Sequence, residues 1–146
     1  MEHTFIVQEG AWQALGVYMN ERGTPLQLEG EIVITHQAEI WINAGVLKIL
    51  ADPPIELIHR NEIKPLPAHA AMTTWTAHHP AFGMVKGTYV FVGPAIHVTY
   101  QSADDQYRGM ESLTQLDADT YEATGSLLQG KTRLSSWRLN LSRSSA

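Results

Sequence analysis

The sequence predicts an all-β protein, a single closed antiparallel up-and-down barrel of about ten strands. Turn-forming residues recur about every eight to twelve residues, and the short segments between them are rich in Val, Ile, Thr, Tyr and Trp. Strands joined in sequence by tight turns form an antiparallel meander, which leaves two exposed edges unless it curls. Closure into a barrel pairs those two edges.

The predicted strands end at turn sequences such as ERGTP (21–25), NAG (43–45), HHPAFG (78–83) and LDADT (116–120). The segments between turns are residues 12–20, 26–36, 38–42, 46–50, 55–63, 71–77, 84–92, 95–101, 106–115, 120–128 and 133–142. Residues 2–10 could form a helical turn that plugs the mouth of the barrel. We expect one domain over residues 1–143, followed by a disordered polar tail at residues 144–146.

The composition of the 146-residue chain excludes several classes of protein. It contains no cysteine, which rules out disulfides and thiolate chemistry and favours a reducing compartment. Its start lacks the pattern of a signal peptide, and no apolar run reaches the roughly 20 residues of a membrane helix. The net charge is −5 and the ten Lys and Arg residues are scattered, which argues against nucleic acid. We expect a cytoplasmic protein without membrane insertion.

Alternation along the strands indicates which faces are buried. Residues 26–36 alternate between apolar and polar side chains, as a half-buried strand does. Residues 84–92 differ, because Met84, Val90 and Val92 are apolar and oppose a second apolar set. An apolar face that should be solvated favours a subunit contact. We therefore expect a homodimer, and an assembly module acting through this outer face is one alternative function.

Gly10, Ala11 and Trp12 open the first predicted strand, and Arg138 and Arg143 lie on the last one. In these residues and in its meander of strands the chain resembles the calycin group, meaning lipocalins and fatty-acid-binding-protein-like barrels, which include the haem-binding nitrobindins. The resemblance implies that the tryptophan packs across the closed end of the barrel, near an arginine of the final strand. A guanidinium group can stack on an indole ring and donate to carbonyl groups there.

The chain departs from the nitrobindin pattern at two places. Gln13, Ala14 and Leu15 stand between the tryptophan and Gly16, where that pattern has further glycines. The proximal haem histidine of nitrobindins lies near the C-terminus, and residues 135–146 contain no histidine. We therefore expect no haem through that ligand, and no cofactor.

A barrel of this size has an interior that side chains need not fill, which predicts a ligand cavity. Its wall should combine large aromatic side chains with a few polar groups that fix the orientation of the ligand. The predicted ligand-binding residues are Arg138, Tyr107, His36, Trp41, Trp75, Phe91 and Glu111. The resemblance to fatty-acid-binding barrels implies that an inward arginine, together with a tyrosine, clamps a carboxylate.

Two features leave alternatives open. If Glu111 points inward, its carboxylate needs a partner, for which Arg138 is the candidate. If it points outward it faces water beside Arg108, and the rarity of buried lone carboxylates favours this arrangement. Mid-strand glycines either bend the wall or leave room beside a ligand, and bending is slightly favoured. They are Gly30, Gly87, Gly109 and Gly125.

Catalytic and metal-binding patterns are weak. The seven histidines lack the spacing of metal ligands, so we expect no metal site. The chain has no nucleophile elbow and no phosphate-binding glycine loop. His36, His59 or Glu111 could serve as an acid or base inside the barrel, which keeps an isomerase, cyclase or lyase as an alternative.

The favoured hypothesis is the binding of a small, largely hydrophobic molecule in the barrel cavity, without catalysis. A lipid, an isoprenoid and a tetrapyrrole-like molecule all fit this description. The hypothesis rests on fold-level analogy together with the pattern of aromatic side chains.

Overall fold

The computed structural model describes residues 2–144 and consists of ten antiparallel strands in a closed barrel. The strands are β1 (Gly10–Met19), β2 (Pro25–His36), β3 (Trp41–Ile49), β4 (Ile55–Ile63), β5 (Met72–His79), β6 (Gly83–Val92), β7 (Ala95–Ser102), β8 (Tyr107–Asp117), β9 (Thr120–Gln129) and β10 (Thr132–Arg143). Each strand pairs with its neighbours in sequence, and β1 closes the ring by pairing with β10. The predicted all-β up-and-down barrel is confirmed.

One predicted turn is wrong. The sequence NAG was expected to separate two short strands, whereas β3 runs through it without a break. Gly45 lies in the middle of this strand because a Cβ there would clash with the carbonyl oxygen of Glu31 on β2. The glycine therefore permits close approach of two strands and does not mark a turn.

The N-terminal segment closes one end of the barrel without forming a helix. Residues 5–7 form a turn, and the N–H of Gln8 donates to the carbonyl of Thr4 at 3.2 Å. Phe5 and Ile6 are buried in the main hydrophobic core. The segment is thus a plug, as the sequence suggested, but its backbone is a single turn. The described residues contain no helix long and apolar enough to cross a membrane.

The wall of the barrel is regular except between β4 and β5. Residues 61–63 of β4 pair with residues 75–77 of β5. In the described chain, residues 55–60 of β4 pair with β3 on one side and have no β5 partner on the other. The barrel therefore has a gap in its side, next to the turn that joins β5 to β6.

The outer face of β6 is less apolar than the alternation suggested. Met84 and Val92 are exposed, but Lys86 and Thr88 lie between them on the same face, and Val90 is half-buried. At the other end of the chain, the N–H of Ser144 donates to the carbonyl of Ala11 at 2.7 Å. The rest of the predicted tail, residues 145–146, lies outside the described residues.

Candidate functional site

The closed end of the barrel is built around Trp12. This side chain is 1% exposed, and the rings of Phe5 and Tyr121 pack edge-on against it at centroid distances of 5.4 and 5.6 Å. The guanidinium carbon of Arg143 lies 5.2 Å from the centre of the indole ring. Arg143 also donates to the carbonyl of Ala118 at 3.2 Å. This is the tryptophan–arginine contact that the calycin resemblance implied, with Arg143 as the arginine.

Most polar groups at this end are satisfied by one another. Among the described residues, Nε of Arg143 is buried without a hydrogen-bond partner and lies 3.4 Å from a carboxylate oxygen of Asp119. The hydroxyl of Tyr121 accepts from the backbone N–H of Thr4 at 3.0 Å and lies 2.8 Å from Nδ1 of His3. His36 lies 2.8 Å from the carbonyl oxygen of Ile6 and stacks on Trp41 at 3.9 Å. His36 and Trp41, both predicted ligand-binding residues, are therefore part of the plugged end and do not line the cavity.

A cavity of about 580 Å³ occupies the remaining interior. Its wall is mostly apolar, with the side chains of Leu28, Ile32, Leu47, Val98, Leu113 and Leu139 among those that line it. It reaches the surface through the gap between β4 and β5, where residues 56–59 face residues 79–82. The ring of Phe82 stacks between His79 and Tyr107 at this mouth, at 3.8 and 4.1 Å.

The aromatic rings of the cavity wall lie flat against glycines on neighbouring strands. Trp75 is opposite Gly87 in the β5–β6 register, and Trp137 is opposite Gly125 in the β9–β10 register. A Cβ at Gly125 would lie 2.5 Å from Cε2 of Trp137, so the ring occupies the space that a side chain would need. Three of the four mid-strand glycines do leave room, which an aromatic ring fills: Gly87, Gly109 and Gly125. At Gly30 a Cβ would clash with the carbonyl oxygen of Val46, so this glycine permits close approach of two strands.

Glu111 projects into this cavity from β8. Its carboxylate accepts a hydrogen bond from Nε1 of Trp137 at 2.6 Å. The group is half-buried by accessible area because it faces the empty space, although the barrel wall surrounds it. Burial raises the pKa of Glu111, and the Trp137 hydrogen bond opposes that rise. The inward position corrects the expectation that favoured an exposed Glu111.

A second polar cluster lines the cavity on β3, β4 and β6. The amide nitrogen of Asn43 donates to the hydroxyl of Tyr89 at 3.3 Å, so its oxygen is free to accept from Nε2 of His59 at 2.9 Å. Burial lowers the pKa of His59 to about 4 and raises that of Tyr89 to about 12. His59 is therefore a neutral hydrogen-bonding group at physiological pH.

Arg138 is not in the cavity, and its predicted pairing with Glu111 is wrong. Its side chain is 74% exposed on the outer wall, where it donates to Glu122 at 2.7 Å. The register explains this, because Trp137, and not Arg138, has the inward position on β10. Of the seven predicted ligand-binding residues, Trp75 and Glu111 line the cavity. Tyr107 contacts the mouth through Phe82, and Phe91 packs beside His3 at the plugged end.

Sequence reasoning missed several groups of the cavity wall. Tyr100 and Asn43 were not predicted, and Trp137 was expected as a large wall residue but not as a ligand-binding one; all three line the cavity. A usable signal was present, since both aromatic residues face a mid-strand glycine across the register. Nε1 of Trp75 is buried and has no hydrogen-bond partner among the described residues. It is an unsatisfied donor enclosed in the wall and is not exposed to the cavity.

Two other kinds of site are less well supported by the structure. A wider depression of about 830 Å³ lies on the outer wall over β5–β8 and is lined by Lys86, Thr88, Thr99 and Arg108. It is an open surface and lacks the enclosed carboxylate of the interior, so we place the site inside the barrel. Within residues 2–144, no three His, Asp or Glu side chains are grouped as metal ligands would be.

Comparisons with known proteins support the fold. No protein-family model matches the chain, and no curated protein matches it. Among solved structures it is similar to Rv2717c from M. tuberculosis, with a TM-score of 0.65 and 16% identity over 93% of this chain and 92% of that one. It is also similar to the S-type phycobiliprotein lyase CPES from Guillardia theta, with a TM-score of 0.62 and 11% identity over 94% and 88%. At these identities the likenesses support the barrel fold alone.

Proposed function

We propose that this protein binds a small, largely apolar ligand inside the barrel, and that the ligand offers an N–H donor to Glu111. One observation carries the proposal: a carboxylate inside an apolar cavity whose hydrogen-bond partner is the neutral indole of Trp137. An enclosed charge is costly unless it is paired. A ligand with a protonated nitrogen or pyrrole-type N–H groups would supply the missing partner.

The charges of the wall argue against a fatty acid. No Lys or Arg side chain among the described residues lines the cavity, and His59 is neutral because burial lowers its pKa to about 4. A carboxylate ligand would find no cation to hold it, and it could not be charged together with Glu111 without strong repulsion in a site of low polarity. The clamp that the fatty-acid-binding resemblance implied is therefore not proposed here.

The shape of the wall favours a flat ligand. Trp75, Tyr100 and Trp137 lie against glycines and present ring faces to the cavity, on which a planar conjugated molecule can stack. The likeness to a phycobiliprotein lyase supports a tetrapyrrole-like ligand, which combines a conjugated plane with pyrrole N–H groups.

The test uses two matched probes. Biliverdin dimethyl ester has pyrrole N–H groups and no carboxylate, whereas oleic acid has a carboxylate and no N–H. Quenching of tryptophan fluorescence should report binding of the ester, because two tryptophans line the cavity, and recovery of the fluorescence on addition of oleate should report its competition. We expect the tetrapyrrole ester to bind more tightly than oleate, and Glu111→Gln to weaken it at least about tenfold by loss of a charged hydrogen-bond acceptor.

Glu122→Gln is the control, since Glu122 pairs with Arg138 on the outer wall. Its affinity for the ester should equal that of the unaltered protein. Tighter binding of oleate, or an unchanged affinity in Glu111→Gln, would contradict the proposal. Native mass spectrometry of the purified protein gives an independent check on stoichiometry.

A second candidate function is proton transfer to a bound ligand, with Glu111 as acid or base. The observation that favours it is the raised pKa of Glu111 in a cavity large enough for a substrate. His36 takes no part, because it is bonded at the plugged end. Hydrogen–deuterium exchange at carbon in the bound ligand, lost in Glu111→Gln, would separate catalysis from passive binding. A location in the cytoplasm stays a prediction.

A further inference from the structure

The first half of β4 is an exposed strand edge with a defined set of free backbone groups. The N–H of Lys64 donates to the carbonyl of Thr74 at 3.0 Å, so the even-numbered residues of this strand direct their backbone groups towards β5. Over residues 55–60 β5 offers no partner in the described structure. Glu56, Ile58 and Arg60 therefore each present an N–H and a C=O at the edge.

Side chains on this edge are unusually apolar for an exposed strand. Ile58 is 68% exposed, the largest value among the large hydrophobic residues described, and Ile55 and Leu57 are also exposed. Exposed apolar edges invite pairing with another strand. Pro53 and Pro54 precede the strand and cannot donate, so the available edge begins at residue 55.

We propose that two copies of this chain pair through β4, antiparallel, about a two-fold axis at Ile58. In this register Ile58 lies opposite the partner's Ile58. Glu56 lies opposite the partner's Arg60, whose guanidinium also donates to Glu62 of its own strand at 2.6 Å and would bridge the two carboxylates. The same carboxylate–guanidinium pair recurs on the other side of the axis, so the edge is complementary to itself in charge. A two-fold interface requires this property, because both copies contribute the same surface.

The register also satisfies the free backbone groups. The backbone N–H and C=O groups of three residues point towards the partner: those of Glu56, Ile58 and Arg60. Each of these residues lies opposite one of the same three residues in the partner, whose N–H and C=O groups point back. Such directly opposed pairs exchange two hydrogen bonds each. Strand pairing between copies thus completes a ladder that is interrupted within one barrel.

The pairing places the partner beside the mouth of the cavity. Leu57 and His59 are adjacent to Ile58 on the inner face and line the cavity. In the proposed register Leu57 of one copy lies opposite the partner's His59. The second copy then covers the gap between β4 and the β5–β6 turn with an apolar side chain. This inference is independent of the ligand proposal, because it concerns the wall and not the chemistry of Glu111.

The absence of cysteine makes the register directly measurable. Ile58→Cys introduces a single thiol that the two-fold axis brings opposite its copy, at the roughly 5.5 Å Cα separation of a hydrogen-bonded pair, within reach of a disulfide. Under mild oxidation we expect a disulfide-linked dimer. Leu15→Cys is the matched control, since Leu15 is 54% exposed on a strand paired on both sides. Cross-linking should be at least about tenfold slower there.

A charge exchange tests the same register without a thiol. By light scattering after size exclusion, we expect Glu56→Arg to weaken the dimer at least about tenfold by placing two arginines opposite each other. The double variant Glu56→Arg/Arg60→Glu should restore it. Glu31→Arg makes the same charge change on the outer face of β2 and should leave the dimer unchanged.

Three results would overturn the proposal. One is a protein that is monomeric at every concentration up to about 1 mM. The second is equal cross-linking at residues 58 and 15. The third is a dimer that Met84→Arg dissociates while Glu56→Arg does not, which would move the interface to the outer face of β6. Ligand affinity is measured separately, so failure here leaves the Glu111 proposal intact.

Discussion

The plugged end and the cavity half of this barrel are made of the same strands and follow opposite rules. At the plugged end aromatic rings pack edge-on around Trp12, and the hydroxyl of Tyr121 has several partners. In the cavity half the carboxylate of Glu111 accepts a hydrogen bond from Trp137 and faces the cavity, and burial raises the pKa of Glu111. The first arrangement stabilises the fold. The second keeps polar groups available, which is typical of binding sites.

The difference comes from what stands opposite each large ring. Trp12 meets Phe5 and Tyr121, which fill the space in front of it. Trp137 meets Gly125 and lies flat against the wall. A ring that packs against other rings builds a core, whereas a ring that packs against glycine leaves room for a ligand. Variants at the two places should therefore have different effects.

The largest effect is expected at the plugged end. Trp12→Ala removes a fully buried indole and its contact with Arg143. We expect a loss of about 3–5 kcal/mol in the free energy of unfolding, or about 10 °C or more in melting temperature. Thermal denaturation followed by circular dichroism measures it. A drop of less than about 1 kcal/mol would contradict the assignment of this end as the stabilising half.

The next largest effect is a pH dependence in the cavity half. His59 has a folded-state pKa of about 4 and an unfolded value near 6.5, so the unfolded chain binds the proton more readily. The free energy of unfolding is therefore highest above pH 6.5, where His59 is neutral in both states. It falls as the pH falls towards 4, because the unfolded chain gains a proton there first. The shift corresponds to at most about 3 kcal/mol, less if water enters the cavity.

His59→Gln tests this, because glutamine can still donate to the oxygen of Asn43 and does not titrate. Urea denaturation at pH 7 and pH 4.5 should show a smaller loss of stability in the variant than in the unaltered protein. His97→Gln, at an exposed position on β7, is the control and should keep the original pH dependence. Equal pH dependence in His59→Gln would contradict the buried, neutral assignment.

A third variant sharpens the role of glycine. Gly125→Ala places a methyl group 2.5 Å from the Trp137 ring, which must then move into the cavity. We expect overpacking to lower the free energy of unfolding by about 1–3 kcal/mol. The wavelength of tryptophan emission should change, and the affinity for the ligand should fall. Gly93→Ala is not a suitable control because its φ is +54°. Ala95→Gly is a better control, because it also changes a side chain by one Cβ atom, at the start of β7 and away from the cavity wall.

The sequence predicts the barrel better than it predicts the site. Turn spacing indicates the strands correctly because turn signals are local. The closed end is also predicted correctly, from the Gly10–Trp12 start and an arginine on the last strand, because this depends only on which strands are terminal. The direction of Arg138 depends on the register of β10, and one residue of register moves every side chain to the other face. Alternation on β10 left both faces plausible, since Trp137 and Arg138 are adjacent.

The gap between β4 and β5 could not be predicted for a different reason. Residues 55–63 read as an ordinary strand, and nothing in their sequence shows where its pairing with β5 stops. Pairing length depends on where the β5–β6 turn lies in space, which is a long-range property. The inward position of Glu111 could not be predicted either. Burying a lone carboxylate is costly, so the sequence favours an exposed position until the cavity and the hydrogen bond from Trp137 are known.

The smallest expected effect is the most specific to the cavity. The pKa of Glu111 is raised, so the folded protein binds a proton more readily than the unfolded chain. The contribution of this proton to the free energy of unfolding is complete below the unfolded pKa of about 4.5 and is lost as the pH rises through the folded value.

Glu111→Gln removes this pH-dependent loss of stability and keeps an oxygen that accepts from Trp137. At pH 8 the empty variant should therefore be slightly more stable than the unaltered protein in urea denaturation, and the difference should vanish below pH 4. Glu122→Gln should show no such gain, because it breaks an exposed ion pair with Arg138. A variant that is less stable than the unaltered protein at pH 8 would mean that Glu111 is a structural partner of Trp137, and the cavity half would then follow the same rule as the plugged end.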